Sequence, residues 1–284
     1  MQIHFRRLRL PRSRGLRLIA GILGSILGAY VAIVLLAYVS ADRLLFQPPP
    51  ASYGRDEVPF QRIPVGRGDS IAVVYLPSDR PALTILFSHG NAEDLGQVYP
   101  FLEQLHGWGF SVIAYDYRGY GQSTGGPAGT RKAGEDAEAV YRWALDSLRI
   151  PPERLVLHGR SLGAGASLAL AAHHGAAGLV LESAFTSAYR VLTRVDLLPF
   201  DRFPNLRLIR QVRCPILVIH GTADGVVPFA HGQALFAAAP GPKQSLWVQG
   251  ADHNDVQQVA GDAYLKALTR LATLVELAPT EPLR

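Results

Sequence analysis

Gly159-Arg160-Ser161-Leu162-Gly163 constrains this chain more than any other stretch. It lies between an apolar run, Arg154-Leu155-Val156-Leu157-His158, and a small-residue pattern that predicts a helix from Leu162. A G-x-S-x-G between strand and helix makes a sharp turn that holds a serine hydroxyl out at the carboxyl end of a sheet. Glycines on either side let strand and helix approach more closely than a Cβ would allow. The motif therefore requires a strand-turn-helix unit, and a layered chain in which that unit is buried.

The rest of the pattern agrees. Residues 57–65 and 70–77 read as two strands joined by Gly66-Arg67-Gly68-Asp69, a hairpin signal. Apolar strand-like runs follow at 82–87, 111–115, 155–158, 178–181, 216–219 and 245–248. Helical patterns alternate with them at 97–106, 135–148, 162–173, 229–238 and 255–277. A hairpin followed by β-α repeats predicts an α/β fold with a mostly parallel sheet and helices on both faces. One connection is too long for a simple crossover. Residues 184–210 carry Phe185, Tyr189, Leu197, Leu198, Phe200 and Phe203, and are expected to form a short cap over the site, leaving a partly open cleft.

Charge is concentrated at the N-terminus. Six arginines (Arg6, Arg7, Arg9, Arg12, Arg14, Arg17) and no acid occupy the first 17 residues. With those six set aside, 22 of the 28 Lys and Arg face 23 Asp and Glu, so the net +5 belongs to a tail. A tail charge does not make a nucleic-acid-binding face, and no nucleic-acid partner is expected. Residues 18–41 then run without a charge, long enough to span a bilayer as a helix. Arginines before the span predict a cytoplasmic N-terminus and a domain on the extracytoplasmic, periplasmic side. A signal peptide cleaved near Val39-Ser40-Ala41 and a buried core helix are the competing readings, although the apolar run is long for a signal and the arginine flank speaks against a core helix. The expected division is a basic tail 1–17, an anchor 18–41, a linker 42–56 stiffened by Pro48-Pro49-Pro50, a domain 57–277 and a tail 278–284. The single cysteine, Cys214, excludes an internal disulfide and reads as a core thiol.

A serine hydroxyl is a weak nucleophile and needs a base, which in turn needs an orienting acid. Downstream of Ser161, two strand-loop units supply them in the order acid, then histidine. Ile216-Leu217-Val218-Ile219-His220-Gly221-Thr222-Ala223-Asp224 ends in a carboxylate. Ser245-Leu246-Trp247-Val248-Gln249-Gly250-Ala251-Asp252-His253 ends in an imidazole. Ser161 is therefore the candidate nucleophile, His253 the base and Asp224 the residue that sets its tautomer. Glu182, at the end of the preceding strand, is the rival acid. Asp252 reads as a loop carboxylate and Asp255 as a cap of the last helix. Oxyanion donors are expected from the backbone N–H groups of Leu162 and of Asn91, the latter in the loop after Phe87-Ser88-His89-Gly90. His89 breaks the chain order and reads as a loop brace. The nine histidines offer no H-E-x-x-H, so neither metal nor cofactor is expected.

Phe87-Ser88-His89-Gly90-Asn91-Ala92-Glu93-Asp94-Leu95-Gly96, the stretch 116–123, the serine turn and the two partner loops together resemble one branch of the α/β-hydrolase superfamily. It is the group containing the eukaryotic α/β-hydrolase-domain depalmitoylases and their bacterial membrane-anchored relatives. The resemblance covers roughly residues 57–275. It implies a serine hydrolase with Ser161, Asp224 and His253 as triad and Asn91 and Leu162 as oxyanion donors. The depalmitoylases reach membranes through an acylated, cysteine-rich N-terminus, whereas this chain has an apolar span and no cysteine before position 214. The expected activity is cleavage of carboxylic ester or thioester bonds in small or lipid acyl substrates. Peptidase or amidase chemistry with the same triad, and a silent membrane-tethered binding module, are the alternatives.

Overall fold

The computed structural model describes residues 14–66, 68–79, 83–193 and 198–277. Two units separate, Met1–Ala41 and Asp42–Arg284. The described residues of the first lie in α1 (Arg14–Leu45), whose stretch Leu18–Leu45 has a mean hydropathy of 2.4 and is long enough to cross a membrane. Leu18, Ile19, Ile22, Leu23, Ile26, Leu27, Ile33, Leu35 and Leu36 stand exposed along it.

The second unit is built on eight strands: β1 (Gln61–Val65), β2 (Asp69–Leu76), β3 (Thr84–Ser88), β4 (Ser111–Tyr115), β5 (Leu155–Arg160), β6 (Gly178–Glu182), β7 (Ile216–Gly221) and β8 (Lys243–Val248). They lie in the order β1-β2-β4-β3-β5-β6-β7-β8. β1 with β2 and β2 with β4 are antiparallel, and every other pair is parallel. The predicted leading hairpin and parallel sheet are both present.

Alternation along each strand divides the core into two. Leu86, Leu157, Leu179 and Val218 face α3 (Thr130–Asp146) and α4 (Leu162–His173). Ile85, Phe87, Val156, Val180 and Leu217 face α2 (Leu95–Gly107) and α9 (Asp262–Leu277). The helices after β3 and β5 thus cover opposite faces, although these strands are neighbours. The strands stay paired to Ser88 and Gly159, and the chain leaves their carboxyl ends toward opposite faces, the arrangement of a topological switch point.

Three expectations are corrected. The helix predicted over 255–277 is two helices, α8 (Val256–Ala260) and α9, because Gly261 takes φ +49° and ends the first. β1 starts at Gln61 and not at 57, because residues 54–58 make a turn in which Val58 N–H donates to the Gly54 carbonyl at 3.1 Å. The stretch 42–56 is no free linker. Asp42 accepts from the Thr130 hydroxyl at 2.6 Å, Phe46 and Tyr53 are buried, and Ser52 N–H donates to Asp94 at 2.7 Å. Three prolines stiffen this stretch, but buried aromatics and satisfied polar groups hold it to the domain.

The insert 184–210 contains α5 (Ala188–Thr193) and α6 (Asn205–Leu208). Phe203 packs directly on α4, where a Cβ on Gly165 would lie 2.3 Å from its ring. Thr186 joins the insert to His231 of α7 (Ala230–Ala238) by a 2.9 Å hydrogen bond. Part of the insert is therefore core covering α4. Leu197 lies outside the described residues.

Candidate active site

Ser161 follows β5 directly and precedes α4, with φ +51° and ψ −113°. This is strained for a residue with a Cβ. The surroundings hold it there. Ser161 N–H donates to the Glu182 carbonyl at 2.9 Å, and its own carbonyl accepts from Ala164 N–H at 3.1 Å. A Cβ on Gly159 would lie 2.5 Å from Ala164 Cα, and one on Gly163 would lie 2.0 Å from the Ser88 carbonyl oxygen. Both neighbours are backbone and cannot turn aside. Gly163→Ala is therefore expected to destabilise the domain by about 3 kcal/mol, the upper end for overpacking, as read by urea or thermal unfolding.

The structure brings Ser161, His253 and Asp224 into one hydrogen-bonded chain. His253 Nε2 lies 3.0 Å from Ser161 Oγ, and His253 Nδ1 lies 2.8 Å from Asp224 Oδ2. Asp224 and His253 are both buried. Burial pushes the Asp224 carboxyl up, but hydrogen bonds from His220, His253 and Val227 N–H outweigh it and hold the group well below the ordinary range. Asp224 is thus a carboxylate throughout neutral pH. Its Oδ1 accepts from Val226 N–H at 2.9 Å and Val227 N–H at 2.7 Å, which leaves Oδ2 for imidazole.

Two loops carry these partners, and they are stitched together. Ala223 N–H donates to the Ala251 carbonyl, and Gly250 N–H donates to Thr222 Oγ1. Asp252, read from sequence as a plain loop carboxylate, accepts from Gly225 N–H at 2.8 Å and from His253 N–H at 2.7 Å. Those two N–H groups lower its pKa. Asp255 occupies the N-cap position of α8 without a side-chain capping bond; its Oδ1 takes the Asp252 N–H instead.

His220, within the strand-loop unit that carries Asp224, also reaches the acid. Its Nε2 faces both the Val227 carbonyl at 2.9 Å and Asp224 Oδ2 at 3.2 Å. Two acceptors require Nε2 to carry the hydrogen. Asp224 therefore takes hydrogen bonds from two histidines. The four-residue spacing of His220 and Asp224, across the end of β7, was the one available signal.

Glu182, the rival acid, is engaged elsewhere. It lies buried with His158 Nε2 at 3.2 Å, the Tyr264 hydroxyl at 2.6 Å and Gln257 Nε2 at 3.1 Å. Burial raises its pKa, but the His158 bond and charge prevail and keep it lowered. His89 is buried, donates from Nδ1 to the Gly90 carbonyl at 2.7 Å and packs between Tyr117 and Tyr120. That is the geometry of a brace. Asn91 lies just beyond Gly90, where a Cβ would be 3.5 Å from Ser161 Cβ; Leu162 is the first residue of α4. Arg160 and Glu93 form an ion pair that links the serine turn to the Asn91 loop. Burial pushes the Cys214 thiol up to about 12, so it is not a reactive thiol at neutral pH. Among the described residues, no group of three or more His, Cys, Asp or Glu is gathered to hold a metal ion.

Comparison with known proteins agrees with this architecture. A family model described as serine aminopeptidase, S33, matches residues 79–202. The alpha/beta hydrolase domain-containing protein aho-3 of Caenorhabditis elegans is 36% identical over 257 residues, covering 80% of this chain and 76% of its own. The human alpha/beta hydrolase domain-containing protein 17B is 40% identical over 195 residues, covering 67% of each chain. Among solved structures, a Pyrococcus furiosus esterase aligns with a TM-score of 0.67 at 18% identity, over 81% of this chain and 97% of that one. The enol-lactonase of Burkholderia xenovorans aligns with a TM-score of 0.57 at 21% identity, over 75% of this chain and 100% of that one. At such identities the structural likeness speaks for the fold, while the sequence relatives speak for descent. This chain belongs to the α/β-hydrolase-domain protein family of aho-3 and the 17B proteins, within the α/β hydrolases.

Proposed function

We propose that this chain is a membrane-anchored serine hydrolase that cleaves carboxylic ester or thioester bonds of acyl substrates through an acyl-enzyme on Ser161. The observation that carries the reading is the Ser161–His253–Asp224 chain, with links of 3.0 and 2.8 Å, at a strained strand-to-helix turn. Ser161 Oγ attacks the acyl carbonyl carbon as His253 Nε2 takes its proton. Asp224 stabilises the imidazolium through Nδ1–H. Collapse of the tetrahedral intermediate expels the alcohol or thiol, which leaves with the proton from His253. Water, activated by the same histidine, then frees the acid and restores Ser161.

The N–H groups of Leu162 and Asn91 stabilise the developing oxyanion. An N–H in the first turn of a helix has no intrahelical acceptor, and the N-terminus of α4 adds its positive dipole end. Asn91 follows Gly90, which lies against Ser161. Removal of either donor's alignment weakens the transition state and not the ground state.

An exposed apolar helix over Leu18–Leu45 supports anchoring, and the arginines ahead of it support a cytoplasmic N-terminus with the domain on the other side. An anchored site works near lipid, which favours acyl chains as substrates. A reporter fused at Arg284 that is active only in the cytoplasm would refute that orientation. Peptide or amide cleavage is the second reading, favoured by the description of the matching family model.

Fluorophosphonate labelling followed by peptide mapping tests the chemistry. The adduct is expected on Ser161, which also excludes a silent binding module. Parallel assays with p-nitrophenyl esters, acyl thioesters and aminoacyl amides test the bond. Faster turnover of the amides would overturn the ester reading, and an adduct on another residue would overturn the site.

A further inference from the structure

The loop 89–95 holds Asn91 and contains its own strain. Ala92 has φ +55°, left-handed backbone that a non-glycine residue adopts only under restraint. The restraint comes from outside the loop. Asn91 Oδ1 accepts from Gln47 N–H at 2.9 Å and from the Tyr120 hydroxyl at 2.7 Å. Burial pushes the Tyr120 phenol well above its ordinary value, so it remains a donor. Two residues beyond Ala92, Asp94 Oδ2 accepts from Ser52 N–H at 2.7 Å, and the Ser52 hydroxyl bonds its other oxygen. Asp94 also caps α2 through Gln97. Tyr53 then bonds Asp116, whose Oδ1 takes the Leu95 N–H at 2.9 Å. Phe46 is buried beside Phe203, which seats the start of the segment. The loop is therefore held on both sides of its strained residue by one short stretch of chain.

We infer that residues 46–53, which follow the apolar helix in sequence, are a positioning strap that fixes the Asn91 N–H for the developing oxyanion, with Gln47 as its acting residue. The inference rests on the roles proposed above for Ser161 and Asn91. An oxyanion donor is effective only if it is aimed before charge develops, because reorganisation during the reaction costs what the hydrogen bond supplies. Gln47 acts through its backbone N–H, so any side chain except proline preserves its function. The stretch that reads from sequence as a linker is on this view part of the catalytic architecture, and a chain cut at residue 57 loses it.

The test is a double-mutant cycle in the full-length protein in detergent, read as kcat and KM for a p-nitrophenyl ester with the thermal midpoint measured alongside. Gln47→Pro deletes the N–H and is expected to lower kcat about tenfold with little change in KM, less than the roughly hundredfold cost of a 1 Å misplacement because Tyr120 still holds Asn91. Gln47→Ala keeps the N–H and is expected to restore the rate. Asn91→Ala removes the shared acceptor, and in that background Gln47→Pro is expected to cost nothing further. A loss of the same size in both backgrounds, or no loss in the first, overturns the strap. Ser52→Ala, which deletes the strap's hydroxyl donor to Asp94, provides a second cycle against Asp94→Ala with the same criteria should Gln47→Pro lower the thermal midpoint. Ser161→Ala separates the two readings. If it leaves turnover intact, the proposed nucleophile is wrong; if it abolishes turnover while both cycles are additive, only the strap is wrong.

Discussion

Ser161→Ala is expected to lower ester turnover by about 10⁴-fold or more and to abolish fluorophosphonate labelling. The substitution removes Oγ and leaves Cβ, so the backbone at φ +51° is no more strained than before. His253 and Asp224 keep their 2.8 Å bond, and the two loops remain stitched by Asp252. The thermal midpoint should therefore stay close to that of the parent chain while activity disappears. That combination distinguishes loss of a nucleophile from loss of a fold. Persistent labelling in a folded Ser161→Ala protein would place the nucleophile elsewhere and remove the basis for an acyl-enzyme.

Asp224→Asn should be nearly as damaging, with kcat falling about 10⁴-fold. Val226 and Val227 N–H groups both donate to Oδ1, so the carbonyl oxygen of the new amide occupies that position. Its NH₂ then faces His253 Nδ1. A donor there forces Nδ1 to accept, and the ring proton moves to Nε2. Nε2 then points a hydrogen at Ser161 Oγ and cannot take its proton. His220 Nε2, also a donor, meets the same NH₂, so the variant loses stability as well as rate. If Glu182 were the working acid, the rate would survive this change and fall on Glu182→Gln. The pH dependence of stability gives an independent check. The folded carboxyl is held below its unfolded value, which is about 4. Its contribution is fully present above that pH and is lost as pH falls toward the folded value. Asp224→Asn should therefore show a shallower loss of stability in acid than the parent.

Local spacing was enough to locate the strand-turn-helix at 159–163, the order of the partner residues and the parallel sheet. Continuous apolar runs are required of strands buried on both faces, and the two flanking glycines by the tight turn, so both are legible wherever they occur. Element ends were less so. Gly261 breaks a pattern that reads as one helix, because a left-handed glycine terminates hydrogen bonding without disturbing the apolar spacing. The partners of Asp224 were only half legible. His253 follows from chain order, but His220 reaches the same oxygen only because the chain turns at the end of β7.

Motifs and their order along the chain specify an α/β protein with a serine held at a tight turn, an acid and a histidine after later strands, and an apolar N-terminal span. Tertiary structure decided which carboxylate meets the histidine. Glu182 ends β6 and Asp224 follows the neighbouring β7, and only packing gives Glu182 to His158 and Tyr264. It also decided that residues 42–56 belong to the domain, since the contacts of Gln47 and Ser52 lie more than forty residues away in the chain. Proline-rich spacing reports only local stiffness. Partners that distant in sequence are set by how the sheet and its helices close, and they leave no periodic mark.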